Sequence, residues 1–122
     1  MRTFYVAGSL GQAEEARRVS AKLEGEGMRN LFPWWEEATD NDLPREKLSR
    51  LADREVRAAF ECDVFVMLAC RSRGAHVELG AALASTLKRP QKRVVIFGKE
   101  AEVLKEPSGF YFHEKVEIRE SV

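Results

Sequence analysis

Apolar residues along the chain fall into two patterns, short continuous runs and longer stretches with a spacing of about 3.6 residues. The continuous runs are rich in β-branched and aromatic residues, which is typical of strands buried on both faces of a sheet. They cover residues 3–7, 28–32, 64–69 and 93–97. A fifth, short edge strand is predicted within residues 110–118.

The stretches with helical spacing lie between these runs. The first predicts a helix over residues 12–24. The second predicts a helix with Asp42 as its N-cap and Pro44 in its first turn. The apolar stripe of this second helix is Leu48, Leu51, Ala52, Val56 and Ala59. A third helix follows a turn at residues 71–74 and ends at residues 88–90. Its apolar stripe is Val77, Ala81, Ala84 and Leu87.

Strands therefore alternate with helices, which is typical of a parallel sheet covered by helices on both faces. Right-handed crossovers and short connections favour an open, doubly wound α/β sheet of flavodoxin type with four to five strands. The 122 residues are expected to form one domain, 1–122. Ligands of such sheets bind past the carboxyl ends of the strands, here between the first and third strands.

Composition narrows the classes of function. The 20 basic and 20 acidic side chains balance, so the charge indicates neither a nucleic-acid polymer nor a membrane surface as partner. No segment approaches the roughly 18 apolar residues of a membrane span, and the N-terminus enters a strand at once, unlike a signal peptide. We therefore expect a cytoplasmic protein.

The two cysteines, Cys62 and Cys70, bracket one predicted strand. They would lie about 26 Å apart in an extended chain, too far for a disulfide, so we expect free thiols. With two histidines and no paired cysteine spacing, the sequence predicts no zinc site.

The segment after the third strand is the first candidate for chemistry. Glu78 falls in the first turn of the helix that follows, where the helix dipole favours an ionised carboxylate. The alternative is that Glu78 is a helix residue with no chemical role. Two turns meet at the predicted crevice, and their small residues are Gly8, Ser9, Ser72 and Gly74. Such residues let backbone N–H groups approach an anion, which predicts a phosphate or ribose site.

Glu55 and Trp34 are unusual for their positions. Glu55 lies on an apolar helix stripe, where a carboxylate is unfavourable unless it is paired or used. It either opens into the crevice or lies at the edge of the core, paired with an Arg or reaching solvent. Trp34 and Trp35 stand in a non-periodic loop, residues 33–42, and such loops are often functional. Their rings either stack on a nucleobase or cap the core.

Residues 5–9 (Tyr-Val-Ala-Gly-Ser), Asp63 at the start of a buried strand, and residues 74–80 (Gly-Ala-His-Val-Glu-Leu-Gly) resemble the nucleoside 2-deoxyribosyltransferase family. The branch they resemble most is that of the 2'-deoxynucleoside 5'-monophosphate N-glycosidases. The resemblance runs from about Tyr5 to Phe97. It implies a flavodoxin-like parallel sheet, in agreement with the pattern of apolar residues.

The resemblance also implies catalytic roles. Glu78 matches the nucleophile of the family's Glu-Leu-Gly motif, and Tyr5 matches the residue that orients this carboxylate. Glu55 matches an acidic residue that binds a sugar hydroxyl or helps to protonate the leaving group. Most members carry Asp at that position.

Phosphate-binding residues are implied in the same way. Ser72 and Gly74 match the residues with which the nucleotide-cleaving branch holds the 5'-phosphate. The Arg that this branch carries after its first turn is absent, and Gly11 stands there. Arg71 or Arg73 is a candidate substitute.

The reaction implied is cleavage of the C1'–N bond of a nucleoside or nucleoside 5'-monophosphate through a glycosyl–enzyme ester, with transfer of the sugar to water or to another base. It needs no metal or redox cofactor. Charge balance, Ser72 and Gly74 favour the monophosphate, and the family implies a homodimer or higher homo-oligomer. Two alternatives stay open, a non-catalytic nucleotide-binding module or sensor of the same fold, and a TIR-like NAD-cleaving domain.

Overall fold

The computed structural model of the protein describes residues 1–38 and 42–121. Its strands are β1 (Thr3–Ala7), β2 (Arg29–Asn30), β3 (Val64–Leu68), β4 (Arg93–Phe97) and β5 (Val116–Arg119). Its α-helices are α1 (Ala13–Gly25), α2 (Arg45–Glu61), α3 (Arg73–Ser85) and α4 (Glu100–Val103). Short 3₁₀ helices cover Leu10–Gln12, Trp34–Glu36 and Gly109–Phe112.

The strands form one five-stranded sheet in the order β2-β1-β3-β4-β5, and every pairing is parallel. Helices cover both faces, so the predicted flavodoxin-like fold is confirmed. β3 is buried along its whole length, as its continuous apolar run predicts. The strand order reverses between β1 and β3, where Tyr5 lies opposite Phe65. A crevice is therefore expected past the carboxyl ends of these two strands.

The start of α2 differs from the prediction. The helix begins at Arg45 with Pro44 as its N-cap residue, so the predicted cap at Asp42 is wrong. The residue before a proline avoids helical backbone angles, and the helix therefore cannot extend back through Leu43. Residues 39–41 of the predicted loop lie outside the described residues.

The buried stripe of α2 is also narrower than predicted. Leu51 and Ala59 are buried, whereas Ala52 is exposed and Leu48 and Val56 keep 39% and 40% of their surface. α2 and α3 pack side by side on the sheet, and only one arc of α2 reaches the sheet. Apolar residues thus occupy more of the circumference of α2 than the core buries.

The stripe predicted for α3 faces outward. The helix buries Ala75, Leu79, Ala82 and Leu83 instead, while Val77 is 62% exposed and Leu87 is 85% exposed. The reason is that α3 has apolar residues on both sides, and the two larger leucines fill the space above the sheet. Periodicity alone does not choose between two apolar sides.

The C-terminal region predicted to supply a short edge strand forms a 3₁₀ helix followed by a strand. Residues 110–112 belong to a 3₁₀ helix, and β5 covers residues 116–119, so only residues 116–118 of the predicted region lie in a strand. Both cysteines are free thiols; Cys62 is buried and Cys70 is half-buried.

In the described part of the chain, no helix is long and apolar enough to cross a membrane. The same residues contain no group of three His, Cys, Asp or Glu side chains arranged to hold a metal ion.

Candidate active site

A cavity of about 370 Å³ lies past the carboxyl ends of β1 and β3, with α2 and α3 as its walls. It occupies the place where the strand order reverses, as expected for a ligand site in a parallel sheet. Its lining is Tyr5, Gly8, Leu10, Trp34, Ala38, Leu48, Leu51, Ala52, Glu55, Ser72, Gly74, Ala75 and Glu78. The helical spacing predicts Leu48, Leu51 and Ala52 as core residues, and no sequence pattern singles out Leu10, Ala38 or Ala75.

Glu78 and Tyr5 form a buried pair in this cavity. The Tyr5 hydroxyl donates a hydrogen bond of 2.6 Å to Glu78 Oε1, and the two side chains keep only 1% and 8% of their surface. Burial raises the pKa of Glu78 to about 8, and the hydrogen bond from Tyr5 opposes that rise. The pKa of the Tyr5 hydroxyl is raised well above its usual value, first by burial and then by the charge of Glu78, so Tyr5 stays protonated and donates.

Glu55 lies on the α2 wall of the same cavity. Among the described residues, the carboxyl of Glu55 has no ion-pair or hydrogen-bond partner, so the predicted alternative of a paired Arg is not found. Burial raises the pKa of its carboxyl. The charge of Glu55 also raises the pKa of Glu78, which indicates that the two carboxylates interact across the cavity.

The N-terminus of α3 forms another side of the cavity. Ser72 is the N-cap, and its hydroxyl accepts a hydrogen bond of 3.3 Å from the Ala75 N–H. Within the described residues, the N–H groups of Arg73 and Gly74 have no hydrogen-bond partner. Gly74 lines the cavity, so its N–H and the helix dipole can receive an anionic or polar group of a ligand.

The turn after β1 contributes Gly8 but not Ser9. A side chain at position 8 would lie 3.1 Å from Gln12 Oε1 and 3.2 Å from Leu68 Cδ1, so only glycine fits without a shift. Ser9 does not line the cavity; its N–H and hydroxyl both donate to Gln12 Oε1. Gln12 in turn donates to the Ala69 carbonyl and ties this turn to the end of β3. Nothing in the sequence pattern singled out Gln12.

Trp34 packs in the core, which is one of the two alternatives predicted for it. Its indole N–H donates to the Val6 carbonyl at 2.7 Å and its ring is buried, which fixes it in the core. Trp34 also lines the cavity, and stacking on a nucleobase stays a prediction. Trp35 packs edge-on against it, with ring centroids 5.6 Å apart.

Neither candidate arginine lines the cavity. Arg71 pairs with Glu106 at 3.0 Å on the surface, and Arg73 lines a separate apolar cavity together with Phe110. Of the described residues that line the active-site cavity, none is Lys or Arg. Any phosphate bound there would depend on hydrogen-bond donors and the dipole of α3 rather than on a cationic side chain.

Comparisons with known proteins give a likeness of fold. No protein-family model matches the chain, and no curated protein matches it either. Among solved structures, it is similar to the CMP N-glycosidase BcmB of Clostridium botulinum, with a TM-score of 0.55 and 18% sequence identity. The similarity covers 96% of this chain and 87% of that one. At this level of identity the similarity shows the fold alone.

Proposed function

We propose that the protein is an N-glycosidase or 2-deoxyribosyltransferase that cleaves the C1'–N bond of a nucleoside or nucleoside 5'-monophosphate. The observation that carries the proposal is the buried Tyr5–Glu78 hydrogen bond inside a cavity at the switch point of the sheet. The fold that the chain shares with a CMP N-glycosidase supports it. The resemblance of residues 5–9 and 74–80 to the deoxyribosyltransferase family adds support from the sequence.

Glu78 is the nucleophile in this proposal. Tyr5 donates to one carboxylate oxygen, and the other oxygen attacks C1'. As the C1'–O bond forms, the C1'–N bond breaks and its electron pair leaves with the base, which takes up a proton. Water or a nitrogen of a second base then attacks C1', gives up a proton, and the electron pair of the ester bond returns to Glu78.

Glu55 is the partner acid. In the ionised form, whose charge acts on Glu78, it accepts a hydrogen bond from a sugar hydroxyl, and its raised pKa increases the fraction of the protonated form that can donate a proton to the departing base. Two carboxyls with different environments can divide the acid and nucleophile roles between them. Glu55 of α2 and Glu78 of α3 both line the cavity, which supports such a division.

The remaining lining residues recognise the substrate. Trp34 supplies an aromatic surface for the base, and the Ser72–Gly74 turn supplies N–H donors for a 5'-phosphate or 5'-hydroxyl. Gly8 leaves room for the sugar beside the end of β1. The chemistry needs no metal or redox cofactor.

The active unit is a homodimer. Val56 of α2 and Val77 of α3 are exposed apolar residues on two adjacent helices. Between Arg73 and Lys88 the only charged residue is Glu78, which is buried. A helix that is apolar on all sides is normally covered, and a second copy of this chain is the occupant we assign.

A non-catalytic nucleotide sensor is the second candidate, and the raised pKa of Glu78 favours it. With a pKa of about 8, most of the carboxyl is protonated at pH 7, and a protonated carboxyl is not a nucleophile. A sensor would bind nucleotides and release no base. Catalysis requires that the substrate or a higher pH ionises Glu78.

Chromatographic detection of free base tests the proposal. The protein is incubated at pH 8 with ribo- and deoxyribonucleosides, their 5'-monophosphates and NAD, and Glu78→Gln serves as the matched inactive control. We expect base release from at least one nucleoside or monophosphate by the wild type only. Binding without release would favour the sensor, and release of nicotinamide alone would favour a TIR-like NAD-cleaving activity.

A further inference from the structure

His76 joins the N-terminal turn of α3 to the C-terminal part of the chain. Its Nδ1 lies 2.7 Å from the Ser72 carbonyl oxygen, and its Nε2 lies 2.6 Å from the Tyr111 hydroxyl. The ring is half-buried and does not line the active-site cavity. Both ring nitrogens are thus engaged on the outer side of the turn that carries Ser72 and Gly74.

The partners of His76 fix the direction of these hydrogen bonds. A carbonyl oxygen only accepts, so Nδ1 carries the proton and donates to Ser72. In the neutral imidazole Nε2 then accepts, and the Tyr111 hydroxyl donates to it. The result is a series of two hydrogen bonds, from the Tyr111 hydroxyl to His76 and from His76 to the Ser72 carbonyl.

This series of hydrogen bonds acts on a peptide group of the turn that borders the cavity through Ser72 and Gly74. The Ser72 carbonyl belongs to the same peptide as the Arg73 N–H, one of the two free donors at the start of α3. A hydrogen bond to the carbonyl holds the peptide plane in place and polarises the N–H on its other side. His76 therefore acts on this N–H without reaching the cavity itself.

Tyr111 is suited to anchor such a chain. It is buried within the 3₁₀ helix Gly109–Phe112, whose N-cap Ser108 accepts the Phe110 N–H. A second link between the two segments is the ion pair of Arg71 and Glu106, but both side chains are mostly exposed and such pairs contribute little. The buried tyrosine hydroxyl is the stronger connection.

We infer that His76, held by Tyr111, is a positioning residue that holds the Ser72–Gly74 turn so that the Gly74 N–H can receive the 5'-phosphate of the substrate. The inference rests on the proposed function and names the 5'-monophosphate as the substrate form that depends on this turn. Because no cationic side chain of the described residues lines the cavity, the alignment of the backbone donors carries more of the phosphate binding.

Kinetics on matched substrates tests the inference. Tyr111→Phe removes one hydroxyl, His76→Ala removes both hydrogen bonds, and His76→Asn restores a donor that can reach the Ser72 carbonyl. The matched control is His113→Asn, which alters the chain's other histidine, an exposed residue away from the cavity. KM and kcat are measured for a 5'-monophosphate and for the corresponding nucleoside.

We expect KM for the monophosphate to rise about threefold to tenfold in Tyr111→Phe and about tenfold or more in His76→Ala, with kcat changed less than about twofold. KM for the nucleoside should hardly change, His76→Asn should recover part of the loss, and His113→Asn should match the wild type. An equal change in KM for both substrates, or a lower melting temperature with no change in KM, would overturn the inference.

Two further readouts separate this inference from the proposed function. The ¹⁵N spectrum of the two histidines should show His76 with its proton on Nδ1, and a proton on Nε2 alone would contradict the hydrogen-bond chain. If the wild type releases no base, the proposed function fails, and calorimetric affinity for cytidine 5'-monophosphate then replaces KM in the same variants. Absence of binding by the wild type would overturn both.

Discussion

At the scale of single residues, the burial of Glu78 determines the pH at which it can act. Because the pKa of its carboxyl is about 8, the fraction of Glu78 in the ionised form, the proposed nucleophile, rises tenfold per pH unit below pH 8 and then levels off. We expect kcat/KM for base release to follow this curve, because kcat/KM reports the ionisation of the free enzyme. A flat profile between pH 6 and about 9 would show that no group with this pKa controls the reaction.

Tyr5→Phe tests the cause of this ionisation. The Tyr5 hydroxyl favours the charged form of Glu78, so its loss raises the pKa of Glu78 further. A hydrogen bond to a charged group contributes about 1.5–3 kcal/mol, so the rising limb of the pH profile should move up by about 1 to 2 pH units. An unmoved limb would mean that another group is being titrated.

Glu55 is tested by Glu55→Gln. If Glu55 assists the departure of the base, this change slows turnover by about a hundredfold, a typical contribution of general acid catalysis. It also removes a negative charge that raises the pKa of Glu78, so the limb of the pH profile moves to lower pH. Asp53→Asn, on the exposed side of α2, is the matched control. Unchanged turnover in Glu55→Gln would assign Glu55 to structure alone.

The sequence singled out the acidic residues of the cavity more readily than their surroundings. Glu78 and Glu55 stood out because a carboxylate is unusual in a first helical turn after a buried strand or on an apolar stripe. The Tyr5–Glu78 contact joins residues 73 positions apart and depends on how strands and helices pack, which no local pattern contains. The orientation of Ser9 depends on its hydrogen bond to Gln12, a residue that no sequence pattern singles out.

At the scale of elements, the C-terminus of α2 is held by a buried cation. Lys92 is 5% exposed, and its ammonium group donates to the carbonyls of Ala59 and Phe60 at 2.6 and 3.0 Å. Arg89 donates to the Cys62 carbonyl and pairs with Asp63 beside it. The last carbonyls of a helix need such partners, and a cation also suits the negative end of its dipole.

Lys92→Met should therefore weaken the fold and leave the chemistry intact. The methionine has a similar length but donates no hydrogen bond, so the free energy of unfolding should fall by about 2 kcal/mol. Urea denaturation measures this change, and Lys88→Met, at an exposed position, is the control. A change within about 0.5 kcal/mol would show that solvent replaces the ammonium group without loss.

The elements themselves show what periodicity can predict. The strands β1, β3 and β4 follow from continuous apolar runs, because a parallel strand is covered on both faces. The buried side of α3 does not follow, because Val77 and Ala84 give it a second apolar side that the sheet does not use. Only packing against neighbouring elements decides between the two sides.

At the scale of the whole molecule, the second apolar side of α3 is what the proposed dimer covers. Val77→Asp places a charge in the middle of this surface, and its desolvation on association is unfavourable. In sedimentation velocity we expect the wild type at twice the 13.9 kDa of one chain and Val77→Asp at the monomer mass. Lys22→Asp, at an exposed position of α1, is the control and should stay dimeric. A monomeric wild type would contradict the dimer.

The central claim is that Glu78 forms a covalent bond to the sugar. Mass spectrometry of a reaction quenched during turnover tests it most directly, because it detects the glycosyl–enzyme ester itself. We predict one pentose or pentose phosphate on the peptide that contains Glu78 in the wild type. Glu78→Ala should give no adduct and base release lower by at least about a thousandfold. An adduct on another residue, or base release by Glu78→Ala above about a tenth of the wild-type rate, would contradict the claim.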